Sequence, residues 1–521
     1  MNGMTISELQ AYSSADIDLV YISEEPKKGF FRFDPSDTTS IDDECLVIVD
    51  ALGRRYLRNY LVLTPQMFGA YGDGVNDDTA AIQLAVDYSL PNFQSLFLPA
   101  GEYKITDSIN FGIFRSEIYG EGPHSTKIIQ HTSNIPIFNL EYNNSVEFSI
   151  SNIGFFYKDY QPASNSNSIA IYFNGIYGNV SWGFYNFTLR DLLFERAFKA
   201  IANRTAGNVQ VWGASIRDCV AANISGSFFS QKVTDGGSPN LSFDKIYVLA
   251  EKIESNQNIF EFTGCDTVSL DTIEINKADN GPTLFRFVAG SGIVIGNARV
   301  EFGTFNDVNG NDGEGLIHIS DTDLMIENLM IATLTIDVSN EFYIFKQGGG
   351  NRTNIFVQNL KLHYDNVITS GGFFTLSNGD ANKKLVIDSI TGLERLTGLC
   401  RIGYNNAAGS IWVNSFMRQL PVFVNNSNYT APSNGPKIIL VNTTLIATIY
   451  ILLPVEYESQ SNLFFGLRYK IIRNASTPGA FPLKVVNSYY TPIGEIPANQ
   501  NGVIEIVYAN NNWHIEGQYS M

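Results

Sequence analysis

The chain has 521 residues and a formal net charge of −18 at pH 7, from 34 basic and 52 acidic side chains. This balance argues against a nucleic-acid partner, because binding to phosphate groups needs a positive field. The chain is longer than a single hydrophobic core usually supports, so we expect a repeat array or several domains. No stretch is apolar enough to cross a bilayer, so membrane insertion is not expected.

Residues 1–60 are predicted to form a small N-terminal leader module. Its start, MNGMTISELQAYSS, lacks a basic segment followed by an apolar run, so no signal peptide is expected. Arg54, Arg55 and Arg58 form a local basic cluster, which is either solvated charge or a docking surface for a larger assembly. The expected elements are a short helix or arm at Met4–Leu9 and strands at Ile17–Ile22, Gly29–Phe33 and Cys45–Val49.

A glycine- and aspartate-rich segment, FGAYGDGVNDDT (Phe68–Thr79), precedes a predicted helix at about 79–89 that Asp77 or Asp78 is placed to cap. A nucleotide-binding loop is disfavoured, because no GKS or GKT follows and the aspartates repel phosphate. We expect an amphipathic helix that covers the open end of the repeat array. The residues that share its buried face are Ile82, Ala85, Val86 and Ser89.

A seven-residue phrase recurs nine times between residues 149 and 392, at start-to-start spacings of 25–39 residues. Its second, fifth and seventh places are apolar in every copy except at Gly392, whereas its third and fourth places are mostly polar. This pattern predicts a strand, a polar bend and a second strand in each coil, with neighbouring coils about 4.8 Å apart. Cys219 occupies an inward place and is expected to be a buried free thiol. The copies are Ser149–Phe155, Thr188–Phe194, Ser215–Ala221, Ser242–Val248, Ser269–Ile275, Val294–Val300, Met325–Ile331, Phe356–Leu362 and Val386–Gly392.

The phrase is lost after Phe416, and the polar connector Asn425–Pro436 follows. Several short strands separated by turns are expected beyond it. We therefore predict an all-β chain in which residues 61–425 form a parallel β-helix with a short N-terminal capping helix. Residues 431–521 are predicted to form a C-terminal β-sandwich-like module for trimerisation or carbohydrate binding.

Three motifs, FGAYGDGVNDDTAAIQLAV, LFLPAGEYKI (Leu96–Ile105) and IYGEG (Ile118–Gly122), resemble the opening of the pectate-lyase-like tailspike proteins of bacteriophages. The preceding leader is similar to the small module often found before it in tailspikes. The resemblance covers residues 15–130 and implies a right-handed parallel β-helix, usually a homotrimer. It further implies a virion protein that joins the phage tail through its leader and binds or cleaves a bacterial surface polysaccharide. These motifs contain no catalytic residue.

Catalytic candidates come from the sixth and eighth places of the phrase, which strand alternation turns outward. There Glu274 lies beside Arg299, and Glu301 is diagonal to Glu274 at about 8 Å between backbone positions. Two carboxyl groups at such a separation suit inverting glycoside hydrolysis, with Arg299 keeping one of them ionised. No cofactor and no metal is expected. The substrate-binding residues predicted on the same face are Tyr247, Asn276, Lys361 and His363.

Other interpretations stay open from the sequence. Glu274 and Arg299 are also compatible with an ordinary surface ion pair of little energetic weight. Lyase chemistry on a uronic-acid polymer is possible, with Tyr247, Arg299, Lys361 or His363 removing a proton, and so is a receptor-binding spike without activity. A cell-wall pectinase is disfavoured without a signal peptide. The acids of the polar bend are interpreted as turn-capping residues; they are Asp191, Asp218, Asp244, Asp271, Glu327 and Asp388. Rival candidates for the groove are Glu251, Glu254, Asp307, Asp312 and Glu314, whereas Asp235 and His318 are not favoured.

Overall fold

The computed structural model describes residues 3–520, apart from a set of internal positions. The positions outside the description are 143, 178–182, 207–208, 234–239, 255, 279, 307–314, 338–343, 348–352, 365–371, 377–382, 392–400, 405–409, 414–420, 424–428, 431–437, 442–448, 453–467, 474–481, 487–491 and 510–511. Among the described residues, no helix has the length and hydropathy needed to span a membrane.

The leader forms a four-stranded antiparallel sheet with its own small core, against which the helix Ile6–Gln10 packs. Arg58 is buried and donates to the carbonyl oxygens of Lys27 and Lys28 at 2.8 and 3.0 Å. Arg54 pairs with the buried Asp50 at 2.6 Å. Two of the three basic residues therefore hold the leader together instead of facing a partner. The strands, in sheet order, are Leu19–Ile22, Gly29–Phe33, Arg55–Asn59 and Val47–Val49.

The predicted capping helix is confirmed at Thr79–Ser89, after a short 3-10 turn at Pro65–Phe68. Asp77 accepts hydrogen bonds from the Thr79 amide (3.0 Å) and the Thr79 hydroxyl (2.5 Å) at the start of the helix. Asp78 instead accepts from the amides of Tyr71 and Gly72 and fixes the preceding loop. Burial raises the pKa of this carboxyl group, and the two amides partly offset that effect. The helix residues buried against the first coils are Ala81, Ile82, Ala85, Val86 and Ser89.

The predicted parallel β-helix is confirmed, and within the described residues its two main sheets have 15 and 11 strands. Each coil contributes one strand to each sheet over most of its length. A smaller pair joins Phe184–Tyr185 to Val211–Trp212. The 15-stranded sheet contains Asp73–Asp77, Leu96–Leu98, Gly101–Ile105, Glu117–Gly120, Thr126–Gln130, Ser149–Tyr157, Thr188–Glu195, Ala214–Ala222, Leu241–Leu249, Asp266–Asn276, Ser291–Asn306, Asp323–Asp337, Thr353–Tyr364, Lys383–Thr391 and Ser410–Val413. The 11-stranded sheet contains Ile109–Phe111, Phe138–Tyr142, Ile169–Tyr177, Lys199–Asn203, Phe229–Lys232, Asn258–Thr263, Thr283–Val288, Ile317–Ser320, Phe345–Gln347, Gly372–Leu376 and Arg401–Tyr404.

The nine copies of the phrase lie in the 15-stranded sheet, in register from coil to coil, with Gly392 of the last copy outside the described residues. The second place forms one buried column, from Ile150 through Phe243 and Leu270 to Ile387. Each such side chain contributes roughly 1.5–3 kcal/mol by leaving water. Cys219 is a buried free thiol in the fifth-place column, and burial raises its pKa to about 12.

The fourth place is where the chain turns between the two halves of the phrase. It has a left-handed backbone in five consecutive copies, with φ between 52° and 59°. Asn and Asp tolerate this conformation better than most residues, because their short side chains bond to nearby backbone groups. The polar bend predicted from the sequence is therefore a conformational requirement. The five residues are Asn152, Asp191, Asp218, Lys245 and Thr272.

The C-terminal part contains two further sheets, of five and four strands among the described residues. Their first pairings are parallel, as in the coils, and the last ones are antiparallel. The first sheet orders Pro421–Phe423, Ile438–Val441, Arg468–Arg473, Gly502–Ala509 and Asn512–Ser520, and the second orders Tyr429–Thr430, Ile449–Leu452, Leu483–Val486 and Pro492–Ile496. The boundaries at 60, 425 and 431 stay predictions.

Candidate active-site groove

A groove of about 500 Å³ runs along the outer surface of the 15-stranded sheet. Its floor is made by buried fifth-place residues such as Ile273 and Leu329, and its walls by fourth- and sixth-place side chains. Three predicted site residues, Glu274, Arg299 and Lys361, line this groove. The complete lining is Thr272, Ile273, Glu274, Asn297, Ala298, Arg299, Asn328, Leu329, Met330, Asn359, Leu360, Lys361 and Ser389.

Strand pairing places the other predicted residues next to the groove. Tyr247 is paired with Glu274, and Glu274 is paired with Arg299. Asn276 is paired with Glu301 in the neighbouring eighth-place column. All five side chains point outward and are partly or largely exposed, as alternation along each strand requires.

Asn276 lies between the two candidate carboxylates. In one amide orientation it donates to the Tyr247 hydroxyl (3.1 Å) and to Glu274 Oε1 (3.4 Å). Turned by 180°, it accepts from the same hydroxyl and donates to Glu301 Oε2 at 3.3 Å, which satisfies both ends of the amide. The amide therefore lies between the two carboxylates, and the orientation that satisfies both of its ends bonds it to Glu301.

The ion pair in this cluster differs from the one expected. Arg299 Nη2 donates to Glu301 Oε1 on its own strand instead of pairing with Glu274 across the coils. The side chains of Arg299 and Glu301 keep 51% and 36% of their surface exposed. Glu274 therefore reaches the groove without the arginine, so the two carboxyl groups have different surroundings.

The C-terminal end of the groove contains Met330 and the exposed Lys361, which are paired in register. His363 is on the same strand as Lys361 and is paired with Ala332 of the neighbouring strand. The side chain of His363 lies outside the described part of the molecule. Lys361 thus joins Glu274 and Arg299 in one groove, whereas the place of the His363 imidazole stays a prediction.

A ladder of asparagines forms the wall opposite Glu274 and Arg299. Asn328 donates to Asn297 Oδ1 at 2.9 Å, and Asn359 donates to Asn328 Oδ1 at 3.0 Å. Asn297 in turn donates to Asp271 Oδ1 at 3.0 Å. All three amides are exposed, and each has a second N–H besides the one used in the ladder. The sequence signal was an asparagine at the fourth place of three consecutive copies.

The rival acids near the groove have other roles. Glu251 pairs with Lys277 at 3.2 Å, and Glu254 accepts from the Ala163 amide at 3.0 Å. The contact between Ala163 and Glu254 joins the long first interval of the repeat to a coil about 90 residues later. A second contact of this kind is made by the Tyr160 hydroxyl, which donates to the Lys252 carbonyl oxygen at 3.1 Å. Asp235, Asp307, Asp312 and Glu314 lie outside the described residues.

A second cluster, on the 11-stranded sheet, was missed by the sequence reasoning. Glu261 is 4% exposed, and its carboxylate accepts from Ser230 Oγ (2.9 Å) and Lys232 Nζ (3.0 Å), with Arg286 Nη1 at 3.6 Å. Lys199 donates to the same Ser230 hydroxyl at 3.1 Å. Burial raises the pKa of Glu261, but the nearby lysines and hydrogen bonds outweigh it, so the net pKa is lowered.

This second cluster does have a signal in the sequence. A polar residue ends or interrupts a short apolar run at equivalent positions, as in FFS, IFEF, LFRF and LIHI. Strand pairing places Ser230, Glu261, Arg286 and His318 in one row. Their spacings of 31, 25 and 32 residues match the coil length, so a search for a second repeat would have aligned them. Within the described part of the chain, no group of three or more His, Cys, Asp or Glu side chains is arranged to hold a metal ion.

Comparison with known proteins identifies the N-terminal coils. Residues 66–165 match the family model described as rhamnogalacturonase A/epimerase, pectate lyase-like. A 40-residue segment is 55% identical to the mannuronan C5-epimerases AlgE5 and AlgE2 of Azotobacter vinelandii, covering 8% of this chain and 4% of each epimerase. The chain therefore spans a very small part of the length of these curated relatives.

Solved structures extend the likeness in fold to the whole chain. Tailspike protein 2 of an Escherichia coli O157:H7 bacteriophage has a TM-score of 0.55 at 14% identity, over 100% of this chain and 72% of that chain. The gp42 tailspike of Acinetobacter phage vB_AbaP_AS12 has a TM-score of 0.53 at 10% identity, over 99% of this chain and 93% of that chain. The protein is thus a parallel β-helix with the fold of phage tailspikes and a pectate-lyase-like sequence in its first coils.

Proposed function

We propose that this protein is a phage tailspike that binds and cleaves a bacterial surface polysaccharide, such as a capsule or an O-antigen, by endo-glycosidic hydrolysis. The observation that carries the proposal is the groove lined by Glu274 and Arg299, beside which Asn276 and Glu301 lie. The tailspike fold and the resemblance of the first coils are consistent with this function. The groove is open along the axis of the coils, which suits a long chain of sugars.

The two carboxyl groups receive different roles from their surroundings. Glu301 is held by the Arg299 guanidinium and is proposed as the base that activates water or as the nucleophile. Glu274 lacks this arginine and serves as the acid that protonates the leaving oxygen. Asn276 orients Glu301 through the hydrogen bond that its amide donates to Glu301 Oε2.

Substrate contacts follow from the remaining groove residues. The asparagine ladder presents a row of amide N–H groups, which suit sugar hydroxyl groups as acceptors. Tyr247 offers a ring face at the edge of the groove for stacking against a sugar. Lys361 and His363 are proposed to bind the same chain at the opposite end.

The test is to incubate the purified protein with host polysaccharide and to follow the products. New reducing ends without ultraviolet-absorbing unsaturated sugars indicate hydrolysis, whereas both together indicate the lyase reaction. Glu274→Gln and Glu301→Gln should each lower cleavage by about 10²–10⁴-fold. The matched control is Glu195→Gln, an eighth-place glutamate four coils before Glu301 that also pairs with an arginine, at 3.2 Å. Normal cleavage by both groove variants would contradict the assignment, and binding without products would leave a receptor-binding spike.

We further propose that the protein assembles as a homotrimer on the phage tail, joined through the leader, and acts at the host cell surface. The first place of the phrase is Ser or Thr in the five N-terminal copies but becomes Val294, Met325 and Phe356 in the next three. Met325 and Phe356 are 39% and 37% exposed and adjacent in register. Such a column, parallel to the coil axis, suits burial against a second copy of the chain.

The assembly is tested by the mass measured with light scattering. Met325→Glu combined with Phe356→Glu should convert trimers into monomers, because paired carboxylates do not tolerate burial in an apolar interface. Ser242→Glu, at the same place in an N-terminal copy, is the matched control and should remain trimeric. A monomeric wild-type protein at micromolar concentration would overturn the proposal.

A further inference from the structure

The fourth-place column of the 15-stranded sheet changes its chemistry at the coil that carries Glu274. In the three coils before it, the fourth place is charged, as Asp191, Asp218 and Lys245. From the coil of Glu274 to the last copy, every fourth place is a neutral hydroxyl or amide residue, and all of these residues line the groove. The candidate acid therefore lies at the boundary between a charged and a neutral wall. The neutral wall consists of Thr272, Asn297, Asn328, Asn359 and Ser389.

The charged part of this column is occupied by ion pairs. Asp191 pairs with Arg190 of its own coil at 3.3 Å, and Asp218 pairs with Lys245 of the next coil at 3.6 Å. Arg217 also lies 4.0 Å from Asp218. Because one pair lies within a coil and the other joins two coils, these groups present no regular row of donors to a repeating chain of sugars.

The neutral part presents donors at a constant spacing. Asn328 is paired in register with Asn297 on one side and with Asn359 on the other. The exposed amides therefore repeat at the strand spacing of ~4.8 Å, and each has an N–H group besides the one used in the ladder. This spacing is close to the length that one pyranose residue adds to an extended chain, whereas a wound chain such as amylose advances much less per residue.

Glu274 lies at one end of the groove and not at its centre. The groove runs across five consecutive coils, from Thr272 to Ser389, which is about 19 Å at the strand spacing. On the N-terminal side of Glu274, the sixth-place column continues with the half-buried Tyr247 and then with the apolar Val220, which is 37% exposed. A long sugar chain therefore finds most of its hydrogen-bonding partners on the C-terminal side of Glu274.

We propose that the groove binds an extended glycan with one sugar residue per coil, and that its subsites are distributed unequally about the cleavage point. About four subsites lie on the C-terminal side of Glu274 along the neutral wall, and one lies on the N-terminal side at Tyr247. This inference rests on the proposed function for the position of the cleavage point. The substrate class is a polysaccharide with an extended, ribbon-like backbone of the kind found in cellulose and chitin.

The position of the cuts tests the unequal distribution. Oligosaccharides of defined length are prepared from the host polysaccharide by partial acid hydrolysis, labelled at the reducing end and incubated with the full-length protein. The shortest oligosaccharide that is cut efficiently should have about five residues and should always be cut about one residue from the same end. Cuts at the centre of the shortest substrates, or at random, would overturn the distribution.

The length dependence of binding tests the register of one sugar per coil. In a Glu274→Gln background, which prevents cleavage, the affinity for these oligosaccharides should rise with each added sugar up to about five residues and then become constant. Asn359→Ala removes the amide three coils beyond Glu274. It should lower the affinity of oligosaccharides with about five or more residues by a few fold and change that of a disaccharide much less. Lys245→Gln, a fourth-place change one coil before Glu274, is the matched control and should leave both affinities unchanged.

The outcomes separate this inference from the proposed hydrolysis. Length-dependent binding that Asn359→Ala weakens, without cleavage by the wild type, would overturn the hydrolysis and support the ladder as the sugar-binding surface. Cleavage by the wild type together with unchanged binding in Asn359→Ala would overturn the ladder subsites and leave the hydrolase standing. Linkage analysis of the bound polysaccharide that shows a wound backbone would overturn the substrate class.

Discussion

The two main sheets of the β-helix carry their charges in different ways. On the 15-stranded sheet, the outward residues Glu274, Arg299 and Glu301 are partly exposed, and the arginine pairs along its own strand. On the 11-stranded sheet, the outward residue Glu261 is buried and bonded to neighbouring strands. The same alternation of side chains thus produces an open groove on one sheet and a closed ionic cluster on the other.

This difference in burial indicates whether a substitution should affect ligand binding or the stability of the fold. Exposed ion pairs contribute little to stability, so changes in the groove should affect ligands more than folding. A buried carboxylate with several partners contributes through every hydrogen bond that it accepts, so changes at Glu261 should affect folding as well. The predictions below test this contrast.

The largest effect on stability is expected from the stacked phenylalanines that point inward from the 11-stranded sheet. Phe262 is 1% exposed and stacks between Phe229 and Phe287, with ring centroids 5.3 and 5.5 Å apart. Phe262→Ala should destabilise the chain by about 3–5 kcal/mol, since the cavity has no side chain to fill it. Ile275→Val, an inward change on the other sheet, should cost only about 0.5–1.5 kcal/mol. A similar fall in both melting temperatures would contradict the contrast.

The inward-facing residues of the 15-stranded sheet were predictable from the sequence. Apolar residues at the second, fifth and seventh places identify the buried columns, because side chains of a strand alternate and coils stack in register. The capping helix followed from its start signals and its apolar face. The sequence did not predict which carboxylate pairs with Arg299, because the spacing of residues determines the backbone neighbours and not the side-chain rotamers. The Glu261 row was missed because its apolar runs have only four residues, and burial of an outward residue depends on what covers it.

The next largest effect is expected from deleting the buried carboxylate. Glu261→Ala leaves Lys199, Lys232 and Arg286 to repel one another and removes an acceptor from Ser230, at a cost of about 2–3 kcal/mol. Glu301→Ala, which breaks the exposed pair with Arg299, should change stability by no more than about 0.5 kcal/mol. Thermal melts of both variants test this difference. An equal fall in melting temperature would show that the burial of an ion pair does not determine how much the pair stabilises the fold.

A smaller effect is expected when pH is varied. The pKa of Glu261 is lowered in the folded protein from the ordinary value of 4.5, because the lysines and hydrogen bonds favour the ionised form. Its stabilising contribution is therefore complete above pH 4.5 and is lost as pH falls through the lowered pKa. The wild-type melting temperature should fall more steeply below pH 4.5 than that of Glu261→Gln. Parallel curves for the two proteins would remove Glu261 as a source of acid sensitivity.

The smallest effect on stability is expected from the asparagine ladders, of which each sheet has one. Asn139 donates to Asn110 Oδ1 (2.8 Å) and accepts from Asn174 (3.0 Å) in the 11-stranded sheet, where it is 8% exposed. Asn139→Ala should cost about 1 kcal/mol, because its half-buried partners Asn110 and Asn174 each lose a hydrogen bond. Asn328→Ala breaks the equivalent bonds of the groove, where water replaces them, and should cost no more than about 0.5 kcal/mol. Only Asn328→Ala should weaken binding of the polysaccharide, by a few fold, since only this ladder lines the groove. Weaker binding in the Asn139→Ala variant at an unchanged melting temperature would place sugar contacts on the other sheet and reverse the comparison.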